Sequence, residues 1–131
     1  MRLLLDTHVW LWMGSWPERL GANTREEVSN PANGLFLSIA SAWEITEKKA
    51  RGKLELPMDV ATYLTSRLAH SQANLLTISL EHIFALRSLP EHHRDPFDRM
   101  IVAQALAEGM QLVTADTQVL SYPVATLDAR Q

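Results

Sequence analysis

Short apolar runs alternating with helical stretches predict an α/β fold around a mostly parallel sheet. Two further observations bound that reading. The 131 residues suit one domain, and a composition that is 47% apolar and 21% charged supplies an adequate core. No internal repeat, low-complexity tract or linker divides the chain, so residues 1–131 read as a single domain.

The elements follow in order. Met1–Asp6 is an apolar run ending in Asp-Thr, the pattern of a buried parallel strand whose C-terminal end presents an acid. His8–Met13 continues as an apolar helical turn, closed by Gly14, Ser15 and Pro17. Glu18–Asn30 has helical composition, and Asn30-Pro31 stops it. After the Asn33-Gly34 turn, Leu35–Ser38 is a brief strand. Ser38 or Ser41 can cap the next helix, which runs to about Arg51 and stops at Gly52. Asp59 is placed to cap a helix through His70, whose apolar positions Val60, Tyr63, Leu64 and Leu68 recur at three-to-four spacing. Leu75–Ile78 is strand-like, and Glu81–Leu89 is helical. Pro96 at a first helical position opens a helix to Glu108 that Gly109 terminates. Gln111–Thr114 and Val124–Leu127 complete the strands.

Most acids fall on solvated stretches, but four do not. Asp6 follows Leu3-Leu4-Leu5, and Asp116 comes two residues after the strand ending at Thr114. Glu44 lies within the apolar stretch Ile39–Ile45, and Asp98 occupies the first turn of a helix. Parallel strands end at one edge of the sheet, where ligands bind in the crevice outside it. Asp6 and Asp116 project there, and helices starting at that edge can bring Glu44 and Asp98 to it. Four converging carboxylates resist ionisation unless a cation joins them. Oxygen donors without cysteine point to Mg²⁺ or Mn²⁺, which can activate water and stabilise a departing oxygen. The competing structural role is helix capping: Asp6 can cap the turn that follows it, and Asp95 and Asp98 fit N-cap and N3 positions. Asp95 as the cap leaves Asp98 free for a metal.

Composition removes several other classes. The chain has no cysteine, which excludes disulfides, zinc–thiolate sites and thiol catalysis and agrees with a cytoplasmic setting. No apolar run approaches the roughly 20 residues that span a bilayer, and MRLLLDTHVW reads as a first strand rather than a signal sequence. The net charge of −3 argues against a nucleic-acid partner, but an acid cluster offset by metal leaves the remaining surface close to neutral.

LLLDTHVWLW, LSIASAWEITEKKARGKLELP and HHRDPFDRMIVAQALAEGMQLVTAD, which together span Leu3 to Asp116, resemble PIN domains of the VapC-type toxins. The resemblance places Asp6, Glu44, Asp98 and Asp116 at the family's acidic metal positions, with Thr7 and Thr114 as hydroxyls beside them. It implies a three-layer α/β/α sandwich and a Mg²⁺- or Mn²⁺-dependent endoribonuclease hydrolysing RNA with metal-activated water. It also implies a homodimer and an antitoxin partner that inserts a segment near the site. Unpaired RNA is the expected substrate, because the major groove of an A-form helix is closed to side chains.

Other residues carry weaker signals. Lys48, Lys49, Arg51 and Lys53 follow Glu44 and either neutralise RNA phosphates or form a solvated face. Arg94 and Arg99 flank DPFD and suit contact with substrate or antitoxin, although Arg99 can equally pair with a nearby acid. His92-His93 reads as an exposed loop pair, and His8 as a possible partner of substrate or water. Trp43 reads as core. Trp10 and Trp12, two apart, cannot share one helix face, so one of them is expected at a dimer or antitoxin surface.

Competing functions fit less well. A haloacid-dehalogenase phosphatase wants an Asp where His8 stands, and a phospho-receiver wants a lysine after Thr114 that is missing. A non-catalytic PIN-like RNA- or protein-binding module would have little reason to retain four mutually repelling acids.

Overall fold

The computed structural model describes residues 1–131. Strands β1 (Arg2–Leu5), β2 (Gly34–Ser38), β3 (Asn74–Leu76), β4 (Gln111–Thr114) and β5 (Thr126–Asp128) form one sheet in the order β3-β2-β1-β4-β5. Every pairing is parallel. The helices are α1 (Thr7–Ser15), α2 (Ala22–Ser29), α3 (Ile39–Ala50), α4 (Val60–Ser71), α5 (Leu80–Ala85), α6 (Pro96–Glu108) and α7 (Thr117–Leu120). No helix is long and apolar enough to cross a membrane.

Side chains of a strand alternate between faces, and the sheet buries both. Leu3 and Leu5 of β1 join Leu35, Leu37 and Val113 on one face, covered by Trp10 of α1, Ile45 of α3 and Tyr63 of α4. Leu4 and Leu112 point the other way, under Ile101, Val102 and Ala105 of α6 and Val119 of α7. The result is a three-layer α/β/α sandwich. The chain leaves β1 toward β2 and β3, then crosses back to lay β4 on the opposite side of β1. Connections therefore diverge between β1 and β4, which opens a crevice at their C-terminal ends.

Local signals fix the helix ends. Ser38 caps α3 by accepting from Ala40 N (3.0 Å), Asp59 caps α4 through Thr62 N (3.1 Å), and Asp95 caps α6 through Phe97 N (2.8 Å). Gly109 closes α6 at φ +67°, a left-handed conformation that glycine adopts without strain.

Some boundaries differ from expectation, each for a tertiary reason. The helix expected over Glu18–Asn30 breaks into a 3₁₀ turn, Pro17–Arg19, and α2, because Leu20 and Gly21 are extended. There Gly21 N donates to Ala129 O (2.9 Å), and a Cβ on Gly21 would lie 2.1 Å from the Gln131 backbone. Glu81–Leu89 likewise divides into α5 and a 3₁₀ turn, Leu86–Ser88. Strand β3 begins one residue early and β5 two residues late, each set by register with its neighbour, Asn74 opposite Phe36 and Thr126 opposite Leu112. Helix α7 has four residues, too few for hydrophobic periodicity to reveal.

Candidate active site

Asp6, Glu44, Asp98 and Asp116 line one 310 Å³ cleft at the crevice between β1 and β4, together with Thr7, His8, Lys48, Lys53 and Asp95. Asp6 ends β1 and caps α1, so one residue serves both roles the sequence allowed it. Its Oδ1 accepts from Thr7 N (2.8 Å) and its Oδ2 from the Thr114 hydroxyl (2.7 Å). Burial raises its pKa, against the lowering effects of His8, Thr114 and Thr7, and Glu44 raises it further. His8 Nε2 accepts from Ala115 N (3.0 Å), which leaves the ring proton on Nδ1, 3.8 Å from Asp6 Oδ2.

Glu44 reaches the cleft because α3 starts at the same edge of the sheet. Its side chain is buried, with Oε1 2.7 Å from the Thr7 hydroxyl. That hydroxyl also lies 2.8 Å from Ser41 Oγ. A carboxylate only accepts, so Thr7 gives its single proton to Glu44 and accepts from Ser41. Lys48, one turn along α3, places Nζ 2.5 Å from Glu44 Oε2. Partial burial opposes the Lys48 charge, but the hydrogen bond and charge of Glu44, with Asp95 and Asp98 beyond, more than offset it and raise its pKa.

Asp98 is the least compensated acid. It occupies the first turn of α6, where the helix dipole favours negative charge by about 0.3–1 kcal/mol. That is too little: burial, followed by the charges of Asp6, Asp95, Glu44 and Asp116, pushes its pKa up to about 8. Asp95 does more than cap, since donor atoms of Glu44, Asp95 and Asp98 lie within 4.8 Å of one another.

His93 is the residue that sequence reasoning misplaced. Its side chain is only 14% exposed, with Nε2 3.0 Å from Asp116 Oδ2 and 2.9 Å from Asp98 Oδ2. Three anchors put it there. Its backbone N–H donates to Tyr122 Oη (3.0 Å), its Nδ1 accepts from Asp95 N (3.1 Å), and its Nε2 faces the two acids. An accepting Nδ1 leaves the proton on Nε2, so His93 meets the acids as a donor. The set His93, Asp98 and Asp116 is compact enough to suggest a metal site. A metal on Nε2 would, however, move the proton to Nδ1 and set it against the Asp95 N–H. His93 therefore acts as a proton donor to the acids and not as a ligand. A sequence signal existed in its spacing, two residues before the Asp95 cap, but the contact with Asp116 depends on how the loop folds over β4. His92, by contrast, is exposed and lies against Tyr122 with ring centroids 5.0 Å apart.

The remaining sequence candidates divide. Thr7 and Thr114 sit beside the acids as the resemblance implied. Of the basic residues following Glu44, Lys48 and Lys53 line the cleft, whereas Lys49 does not. Arg94 lines a shallow surface depression with Glu91 and His93. Arg99 turns away from the acids and donates to Pro90 O (3.1 Å) and Tyr122 Oη (3.3 Å). Trp43 is 60% exposed and so lies outside the core. A helix advances 100° per residue, and pointing Glu44 into the cleft turns its neighbour outward. Trp10 is fully buried with Nε1 3.2 Å from Ser71 Oγ, while Trp12 is half-buried between His8 and Arg19.

The donor set fits a hard divalent cation. Its atoms are almost all carboxylate oxygens, and burial together with the neighbouring acids raises the Asp98 pKa, a cost that a bound cation would offset. Comparison with known proteins agrees with the fold. Ribonuclease VapC22 of Mycobacterium tuberculosis (strain ATCC 25618 / H37Rv) is 28% identical over 121 residues, covering 92% of this chain and 91% of the relative. The solved structure of VapBC2 from Rickettsia felis bound to a DNA fragment from their promoter matches with a TM-score of 0.69 at 18% identity, over 97% of this chain and 98% of that one. VapBC-1 from nontypeable Haemophilus influenzae matches at 0.68 and 18%, over the whole of both chains. A toxin–antitoxin complex from Klebsiella pneumoniae matches at 0.62 and 22%, over 95% of each. The family model for the PIN domain matches residues 3–124, and the chain belongs to that family.

Proposed function

We propose that this PIN domain is a Mg²⁺- or Mn²⁺-dependent endoribonuclease acting as the toxin of a toxin–antitoxin pair. The observation that carries the reading is the convergence of Asp6, Glu44, Asp98 and Asp116 on one cleft, where burial first and the neighbouring acids second push the Asp98 pKa up to about 8. Asp6, Glu44, Asp98 and Asp116 would hold the cation, with Asp95 beside them. The cation, when bound, supplies an activated water and charge stabilisation for the departing oxygen.

The chain's own residues do the positioning. The Thr114 hydroxyl and Thr7 N–H fix both oxygens of Asp6, and the Thr7 hydroxyl fixes Glu44. The His93 N–H orients Asp116. Lys48 and Lys53 line the cleft and neutralise phosphate there, the role expected for part of the basic set.

The partner reading rests on relatives and charge. Two similar solved structures are of VapBC proteins and a third is a toxin–antitoxin complex, and an anionic cleft of this kind accepts a basic side chain from an antitoxin segment. A homodimer is supported by the apolar residues Leu80, Ile83 and Phe84, which α5 leaves 68%, 44% and 53% exposed.

The test is cleavage of single-stranded RNA by the partner-free chain. Mg²⁺ or Mn²⁺ should support cutting, EDTA should stop it, and Asp98→Asn should lower the rate by about 10²-fold or more. RNA that is bound but uncut with either metal would leave the non-catalytic binding module as the better reading.

A further inference from the structure

A second cavity of 490 Å³ adjoins the carboxylate cleft, and Lys48, Lys53 and Asp95 line both. Its far wall is aromatic. Trp43 of α3 meets Phe97 of α6 edge to face, with centroids 4.9 Å apart and planes at 89°. Phe97 holds the indole in place, yet 60% of Trp43 stays open to solvent. An exposed tryptophan forgoes the burial that makes this side chain favourable in a core, and here its open face lines a cavity continuous with the cleft. Lys48, Arg51 and Lys53 line the cavity beside Glu47 and Asp95; Arg51 pairs with Glu47 at 3.5 Å and Lys48 with Glu44 at 2.5 Å, while Lys53 has no acidic partner.

We infer that Trp43, supported by Phe97 and flanked by Lys48, Arg51 and Lys53, is a stacking subsite for an unpaired nucleobase of the RNA. The inference rests on the ribonuclease reading and assigns the residue that would recognise an unpaired base. Cations beside an exposed aromatic are the combination that binds single strands, the base lying on the ring and the phosphates against the charges. Continuity with the acid cleft favours nucleic acid over a protein partner: a strand with one base on Trp43 runs past Lys48 and Lys53 into the cleft. Stacking tolerates any base but requires that it be unpaired. The subsite therefore selects single-stranded or looped RNA without reading its sequence.

The experiment measures binding in EDTA, so that hydrolysis does not consume the probe. Fluorescence anisotropy of a labelled eight-nucleotide oligouridine and of a blunt RNA duplex of equal length is followed for wild type, Trp43→Ala, Trp43→Phe and Lys53→Gln. Trp43→Ala should weaken oligouridine binding about 5- to 100-fold and leave duplex binding unchanged, with Trp43→Phe restoring most of the loss. Lys53→Gln should lower the slope of log affinity against log salt by about 0.7, which Trp43→Ala should not alter. Wild-type affinity in Trp43→Ala overturns the subsite, as does failure of the wild type to bind oligouridine. A change in the molar mass of Trp43→Ala by light scattering, with RNA affinity intact, overturns it in favour of a protein contact. The two readings fail separately: stacking-dependent binding without metal-dependent cutting sinks the nuclease alone, and cutting with stacking-independent binding sinks the subsite alone.

Discussion

The two ends of α6 carry the same residue types to opposite effect. Asp98 stands in the first turn and Glu108 in the last, about 15 Å apart along the axis. At the far end, buried His82 sets Nε2 2.8 Å from Glu108 Oε2, while its Nδ1 accepts from Ser79 N (3.0 Å) in a capping box. The Gln104 side-chain amide also approaches Nδ1 at 3.4 Å, and Arg2 pairs with Glu108 from the other side at 3.9 Å. One acid there faces a histidine and an arginine. At the near end Asp98 shares His93 with Asp116, and Asp95, Glu44 and Asp6 surround it with Lys48 as the principal counter-charge. At the far end the acid has its own counter-charges, whereas at the near end the acids outnumber the cations beside them, an imbalance that a divalent cation would offset. Local charge balance separates a structural histidine–acid pair from a functional one, which residue type does not.

That contrast breaks most sharply on pH. The Asp98 pKa is about 8 in the fold against an ordinary value of 3.8, so the folded state holds an extra proton between them. Stability from this group is fully present below about pH 4 and is lost as pH rises through 8. In EDTA the melting temperature should fall by about 10 °C between pH 5 and 8, Asp98→Asn should remove most of that slope, and Mn²⁺ should recover more stability at pH 8 than at pH 6. A flat profile in the wild type would mean the cleft is not short of positive charge.

At the other end the expectation reverses. His82→Ala empties a buried site and removes the partner of the part-exposed Glu108 carboxylate and of the Ser79 N–H, and should cost about 2–3 kcal/mol. Calorimetric Mn²⁺ affinity should be unchanged in this variant, and a large drop would show that the two ends are coupled through α6. The smallest effect is expected from Lys48→Met. Lys48 is half-exposed and competes with a cation for Glu44, so its removal should tighten Mn²⁺ binding by about two- to fivefold in the same titration.

Much of this was legible in the chain. The Leu3–Leu5 run, the Pro96 and Gly109 punctuation and the Asp59 and Asp95 caps act within a few residues of themselves, and the structure keeps them. The meeting of Asp6 and Asp116 was legible too, because parallel strands end together, whereas placing Glu44 and Asp98 beside them rested more on the family resemblance. The residues misread were those whose surroundings come from distant sequence. Trp43 reads as apolar and hence core, but the azimuth of α3 is set by burying Ile45 on one face of the sheet and Ala40 on the other. His93 reads as a loop residue until Tyr122, 29 positions later, pins its backbone beside Asp116.

The sequence by itself thus determined an α/β core, its caps and the edge at which Asp6 and Asp116 meet, since hydrophobic period and capping are local properties. Only the tertiary structure decided which neighbours those acids keep. The Asp98 deficit, the His93 proton between two carboxylates and the open face of Trp43 arise from charge and packing across segments far apart in the chain, where no local pattern reaches.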